Sequence, residues 1–229
     1  MSDANPARFS PLLEKLYEED GASVAELREP GDAALLYPEE AECCHGFAAV
    51  RRAEFAAGRL CARRALSELG YTAFPLLVNS DRTPRWPAGV VGSISHTNGF
   101  CGAVVAETNR FRGIGVDVEI AGRVTPDMWP ELFTDGERAV LERLTPEART
   151  AVAAIAFSAK ESFYKCQFPA TGSWVDFHDV LVSLQGDATR AGSFTVHSAR
   201  GKRALTMLPL RGRFCIQGEF VATGIAMGT

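Results

Sequence analysis

Apolar residues recur at helical spacing through a stretch free of glycine and proline, from Glu147 to Phe168. At about 100° per residue, Val152, Ile155, Ala156, Ala159, Phe163 and Cys166 collect on one stripe, which predicts a long helix with one buried face. Glu161 and Lys165 fall on the other face, four apart, with Phe157 and Tyr164 beside them. A solvated pair of that kind contributes only a few tenths of a kcal/mol. Two large aromatics flanking it imply that something covers that face. A second helix-rich stretch runs from about Glu40 to Leu69 and ends at Gly70, and a short helix is expected over Phe9–Tyr17.

Elsewhere the apolar period shortens to that of strands. Val90–Ser95 and Phe100–Ala106 read as two strands joined through His96-Thr97-Asn98-Gly99, whose Asn-Gly pair is a hairpin signal. Beyond Pro169, strands are expected at Val180–Leu184, Phe194–Ser198, Ala204–Leu208, Phe214–Glu219 and Val221–Met227. Residues 1–40, broken by four prolines, read as irregular and acidic. Both halves run helix first and then strands, which hints at a pseudo-repeat. Thr134–Glu137 fits a capping box at the start of a further short helix.

Gly113–Ile120 is the most informative strand. Ile114, Val116, Val118 and Ile120 alternate with Gly113, Gly115, Asp117 and Glu119. The second face therefore offers two carboxylates about 7 Å apart, beside glycines that leave room for a bulky group at the backbone. Like charges on one face repel unless a cation lies between them. With no His or Cys alongside, the donors suit a hard divalent ion, Mg²⁺ or Mn²⁺.

Composition narrows the partners. The net charge is −4, which argues against a general nucleic-acid binder. Nothing approaches the apolar run that spans a membrane, and the N-terminus lacks a secretion signal, so a cytoplasmic protein is expected. Six scattered cysteines without a metal-binding spacing read as reduced packing thiols. Against the overall acidity, the segment from Arg51 to Arg64 holds five arginines (Arg51, Arg52, Arg59, Arg63, Arg64) and one acid, Glu54. Arginine without lysine favours bidentate anion recognition. Arg82 and Arg85 lie in a turn-rich loop, and Ser93, Ser95 and His96 add polar groups suited to an anion.

An acidic metal face, a Glu/Lys helix face and an Arg/His set together suit a substrate with several phosphates and an organic tail. Three blocks in order are similar to those of the broad-specificity 4′-phosphopantetheinyl transferases. They are Trp86–His96, Gly113–Glu119 and Phe157-Ser-Ala-Lys-Glu-Ser-Phe-Tyr-Lys165. The likeness covers roughly residues 45–185 and includes a Phe168-Pro169…Trp174 segment. It implies an α/β (α+β) fold of two similar subdomains about a pseudo-two-fold axis, with the active site in the cleft between them. The halves would be residues 1–110, carrying the Arg/His set, and 111–229, carrying the metal and the lysines. A monomeric pseudodimer follows.

By the same resemblance, Asp117, Glu119 and Glu161 would hold Mg²⁺ with the coenzyme A diphosphate. Lys160 and Lys165 would contact that diphosphate, and Lys165 would stabilise the leaving group. Arg51, Arg59, Arg82 and His96, with Ser95, would bind the 3′-phosphate and adenosine end. Phe157, Tyr164 and Trp174 would line the pantetheine channel. The activity implied is transfer of the 4′-phosphopantetheine arm to a serine of an apo acyl, peptidyl or aryl carrier protein, releasing 3′,5′-ADP. Glu161 is the candidate general base, directly or through a water. Carrier contacts are expected at the 121–140 loop and helix. Two rivals are a non-catalytic coenzyme A or nucleotide-binding module and a Mg²⁺-dependent phosphohydrolase.

Overall fold

A computed structural model of the chain describes residues 12–17, 21–199 and 207–229. In order, the elements are α1 (Glu14–Tyr17), β1 (Ser23–Leu27), α2 (Pro38–Cys43), α3 (Ala49–Glu68), β2 (Val90–Thr97), β3 (Phe100–Glu107) and β4 (Phe111–Ile120). There follow α4 (Trp129–Leu132), α5 (Asp135–Glu142), α6 (Pro146–Thr171), β5 (Val180–Asp187), β6 (Ala191–Ser198), β7 (Leu210–Gln217) and β8 (Phe220–Gly228). One sheet has the order β1-β3-β2 and the other β4-β8-β7-β6-β5, with every pairing antiparallel.

The same plan underlies both sheets. In each, a first strand is followed by a long helix and then by a hairpin whose last strand pairs with the first: β1-α3-β2-β3 and β4-α6-β7-β8, the second enlarged by the β5–β6 hairpin. Each unit thus begins with a strand rather than a helix. The difference traces to β1, a five-residue strand containing Glu26 inside a segment that reads as irregular. The expected strand over Ala204–Leu208 falls largely outside the described residues, and β7 begins earlier than its apolar pattern suggests, at Leu210. Part of the expected Phe9–Tyr17 helix also lies outside them. The helix-rich stretch divides at Gly46, which takes φ +84°, and α3 stops before Gly70 at φ +85°.

Helix α6 is delimited as its termini dictate. The Thr145 hydroxyl accepts from the Ala148 amide, Pro146 occupies the first turn, and Gly172 closes the end in left-handed backbone at φ +64°. All of its predicted stripe is buried except Val152, which is half-buried. Ile155, Ala159, Phe163 and Cys166 pack on Val180, Phe194, Phe214, Val221 and Ile225 of the larger sheet, and Ala156, with Val152 beside it, packs with Trp129, Leu132 and Phe133. Helix α3 covers the smaller sheet through Ala57, Cys61, Ala62, Ala65 and Leu66. A third core joins the two units, uniting Phe100, Val104 and Ala106 of β3 with Ile114, Val116 and Val118 of β4 beneath Leu12, Leu13, Leu16 and Tyr17.

The two sheets meet edge to edge along β2 and β4, and serine side chains make the join. Ser93 Oγ accepts from the Val116 amide at 3.1 Å, and Ser95 Oγ accepts from the Val118 amide at 3.1 Å. Hydroxyls here satisfy amides that a ladder would otherwise pair.

Candidate active site

The functional side chains gather where α6 crosses β4. Strand alternation does turn Asp117 and Glu119 to the face away from the Val116 core, but that face is covered by the helix. A Cβ on Gly115 would lie 1.9 Å from the Ser162 carbonyl oxygen, and one on Gly113 would lie 2.3 Å from the Cys166 carbonyl oxygen. The glycines therefore admit the backbone of α6 rather than a ligand. Their effect is to lower Glu161 and Lys165, four apart on that helix, onto the carboxylate pair.

The cation among the carboxylates is Lys165. Its Nζ donates to Asp117 Oδ1 at 2.6 Å and to Ser95 Oγ at 3.3 Å. Asp117, Glu161 and Glu119 each hold its ammonium charged, raising its pKa against the opposing cost of burial. The carboxyls respond in the opposite sense. Burial first, then Asp117, pushes Glu119 up to about 7, and Glu161 is raised by burial and by Asp117 against the pull of Lys165. Asp117 is buried, and its second oxygen, Oδ2, has no hydrogen-bond partner.

Two clefts flank this cluster and share one side chain. The larger, about 440 Å³, runs between β2 and the end of α6 and is lined by Arg85, Trp86, Ser93, Tyr164, Lys165 and Phe168, among others. The smaller, about 180 Å³, is lined by Glu161, Tyr164, Trp174, Val175 and Phe177 among others. Tyr164 stands between them, stacked on Phe168 at 5.2 Å and edge-on to Trp174 at 5.3 Å. A third cavity of about 420 Å³, on the α3 side, is lined by Glu54 and His96 together with Val50, Ala53 and Phe100.

Comparison with known proteins identifies the family. Residues 39–106 match the 4′-phosphopantetheinyl transferase N-terminal domain, and residues 113–223 match the 4′-phosphopantetheinyl transferase superfamily. The chain is 34% identical over 207 residues to 4′-phosphopantetheinyl transferase PptT of Mycobacterium tuberculosis, covering 89% of this chain and 91% of that protein. The chain belongs to the 4′-phosphopantetheinyl transferase family. It is also 30% identical to the transferase Npt of Nocardia iowensis, over 90% of this chain and 96% of that one. With Svp of Streptomyces mobaraensis the identity is 38%, over 71% and 65% respectively.

Against the transferase pattern, the expected residues divide into those that meet and those that do not. Asp117, Glu119, Glu161 and Lys165 share one electrostatic field, and His96 feels Lys165 and Asp117 as well. The Arg51 guanidinium donates to His96 Nε2 at 2.7 Å, which leaves the imidazole proton on Nδ1, toward Glu54. Burial, first of all, lowers the pKa of His96, so the ring is neutral at pH 7 and an anion would meet the arginine's charge. Tyr164 and Trp174 line one cleft. Phe157 does not; it packs behind it, 5.7 Å from Phe177.

Two expectations are corrected. Lys160 is 1% exposed, and its three protons go to Glu137 Oε2 at 2.7 Å, Phe177 O at 2.8 Å and Leu132 O at 3.0 Å. An ammonium has no fourth donor, so Lys160 braces the helix from behind and makes no diphosphate contact. Its half-buried counterion Glu137 also accepts from the Thr134 and Val182 amides, a role for which its place in a capping box is the sole sequence signal. Ser95 has likewise given its proton to Asp117 Oδ1, at 2.9 Å, and keeps none for a phosphate. Arg59 is buried on α3, with Nε on the Leu76 carbonyl at 3.1 Å and its guanidinium carbon 3.8 Å from the Phe55 ring centroid, contacts that engage one of its three guanidinium nitrogens.

Arg82 is exposed, in left-handed backbone at φ +70°, and does not line the larger cleft. Arg85, three residues on, does. Nothing in the loop's sequence distinguishes the two arginines.

The donor chemistry fits a hard divalent cation: carboxylates alone, with a buried oxygen of Asp117 lacking any partner. Among the described residues, however, no three acidic, His or Cys side chains stand close enough together to form a finished cage. Lys165 lies among these carboxylates and adds its own positive charge.

Proposed function

We propose that the chain transfers the 4′-phosphopantetheine arm of coenzyme A to the serine of an apo acyl, peptidyl or aryl carrier protein, releasing 3′,5′-ADP. The observation that carries this reading is the meeting of Asp117, Glu119, Glu161 and Lys165 at the α6–β4 crossing, in a chain of this family. Asp117, Glu119 and Glu161 would hold Mg²⁺, or Mn²⁺ in its place. When bound, that ion neutralises phosphate charge and orients the diphosphate.

The chain's own residues do the rest. Lys165, with its ammonium charge reinforced by three carboxylates, is placed to offset charge growing on the leaving diphosphate oxygen. Glu161 has a pKa raised by burial and lines the smaller cleft, so it is suited to take the proton of the attacking serine, directly or through a water. Tyr164 and Trp174 give the pantetheine arm an apolar wall beside Glu161. Arg51 with His96 on one side, and Arg85 in the larger cleft, supply donors for the phosphates of the nucleotide end. The two sheet units, 1–110 and 111–229, would each contribute to the substrate site. The enzyme would act as a cytoplasmic monomer; among the described residues no helix is long and apolar enough to cross a membrane.

One experiment tests the reading. The protein is mixed with Mg²⁺, coenzyme A and an apo carrier protein, and the intact carrier is weighed by mass spectrometry. The proposal requires phosphopantetheine on the carrier serine. A carrier left unmodified with coenzyme A intact would mean a binding module, and coenzyme A consumed without carrier modification would mean a phosphohydrolase.

A further inference from the structure

We infer that Ser95 is a positioning residue for the cation, one that acts through Asp117 instead of touching the substrate. The inference rests on the assignment of Asp117 as a cation ligand made above. A hydroxyl has one proton and two acceptor sites, and all three are engaged in Ser95, which is 3% exposed. The proton goes to Asp117 Oδ1 at 2.9 Å; the oxygen accepts from the Val118 amide at 3.1 Å and from Lys165 Nζ at 3.3 Å. Asp117 Oδ1 therefore takes two donors, Ser95 and Lys165, while Oδ2 is buried and takes none. A buried carboxylate divided in this way is costly unless something positive meets the bare oxygen. The two bonds on Oδ1 set the plane of the carboxylate, and that plane presents Oδ2.

Ser93 supplies an internal control. Two residues earlier on β2 it makes the same join to β4, accepting from the Val116 amide at 3.1 Å, and its proton goes to the Val116 carbonyl at 3.5 Å, with no carboxylate involved. Both serines fasten the sheet edges; Ser95 alone also orients a carboxylate. Outer partners of metal ligands are worth roughly 10–100-fold in metal affinity.

The test uses the full-length protein without coenzyme A, with Mn²⁺ as the probe and free Mn²⁺ counted by electron paramagnetic resonance. Ser95→Ala should weaken Mn²⁺ binding roughly 10–100-fold, and Ser93→Ala should change it by less than about twofold, while melting temperature falls similarly in both. Equal weakening by the two variants, or wild-type affinity in Ser95→Ala, overturns the inference. If Asp117→Asn leaves Mn²⁺ binding intact, the assignment of Asp117 itself is wrong and the inference falls with it. Should Ser95→Ala fail to fold, Ser95→Cys decides in its place. The thiol is of similar size but a weak donor, so weakened binding in a folded variant supports the inference and unchanged binding overturns it.

Discussion

Glu161 and Glu119 show how burial gives two carboxyls of one cluster different tasks. Glu161 keeps a raised pKa while lining the cleft beside Trp174. Replacing it with Gln preserves size but removes both the base and one of the proposed Mg²⁺ ligands. Transfer should fall by at least about 10²-fold, while coenzyme A affinity, measured by calorimetry without added metal, should change little. For Glu119, pushed up to about 7 from an ordinary 4.5, the sign follows from proton counting. Between those values the folded state holds a proton that the unfolded state has released, so this group's contribution to stability declines as pH rises from 4.5 toward 7. A cation must displace that proton. Mn²⁺ affinity should therefore climb with pH up to about 7 and then level off, and Glu119→Gln should flatten the climb. Titrations with Mn²⁺ across that range measure both.

At the scale of elements, the contact of α6 with β4 is made by peptide groups with only glycine between them. Gly115→Ala would drive a methyl into the Ser162 carbonyl. Overpacking of this kind costs about 1–3 kcal/mol. The expected signature is a loss of transfer activity larger than the fall in melting temperature explains, because the displaced helix carries Glu161 and Lys165 away from Asp117. The helices and most strands were legible because their apolar periods are clean. The gathering of Asp117, Glu119, Glu161 and Lys165 has a related origin, since their spacing within β4 and α6 places each set on one face. What the glycines admit was not legible, because a strand face free of side chains looks the same whether a ligand or a helix occupies it. Lys160 misled for the opposite reason: a charge on a helix reads as exposed until a tertiary partner such as Glu137, far off in sequence, is known. The short strand β1 carries a buried Glu26 and, at five residues, is too short for a period to show.

At the scale of the molecule, the two sheet units repeat one plan yet share a core. Val104 and Ala106 of one pack with Val116 and Val118 of the other under Leu13 and Leu16. Neither unit can bury its apolar surface alone. Calorimetry should accordingly show a single cooperative transition, and two separable transitions would mean independent halves.

The indole of Trp174 also has a use outside catalysis. It is 75% exposed at the rim of the cleft beside Glu161, while Trp129 is buried and Trp86 half-buried in packing. Most of the red-edge fluorescence of the protein must then come from that single ring. Adding coenzyme A should shift the emission to the blue as water leaves the ring, and Trp174→Phe should remove most of the shift, leaving what Trp86 contributes from the larger cleft, so substrate arrival can be followed with no label attached.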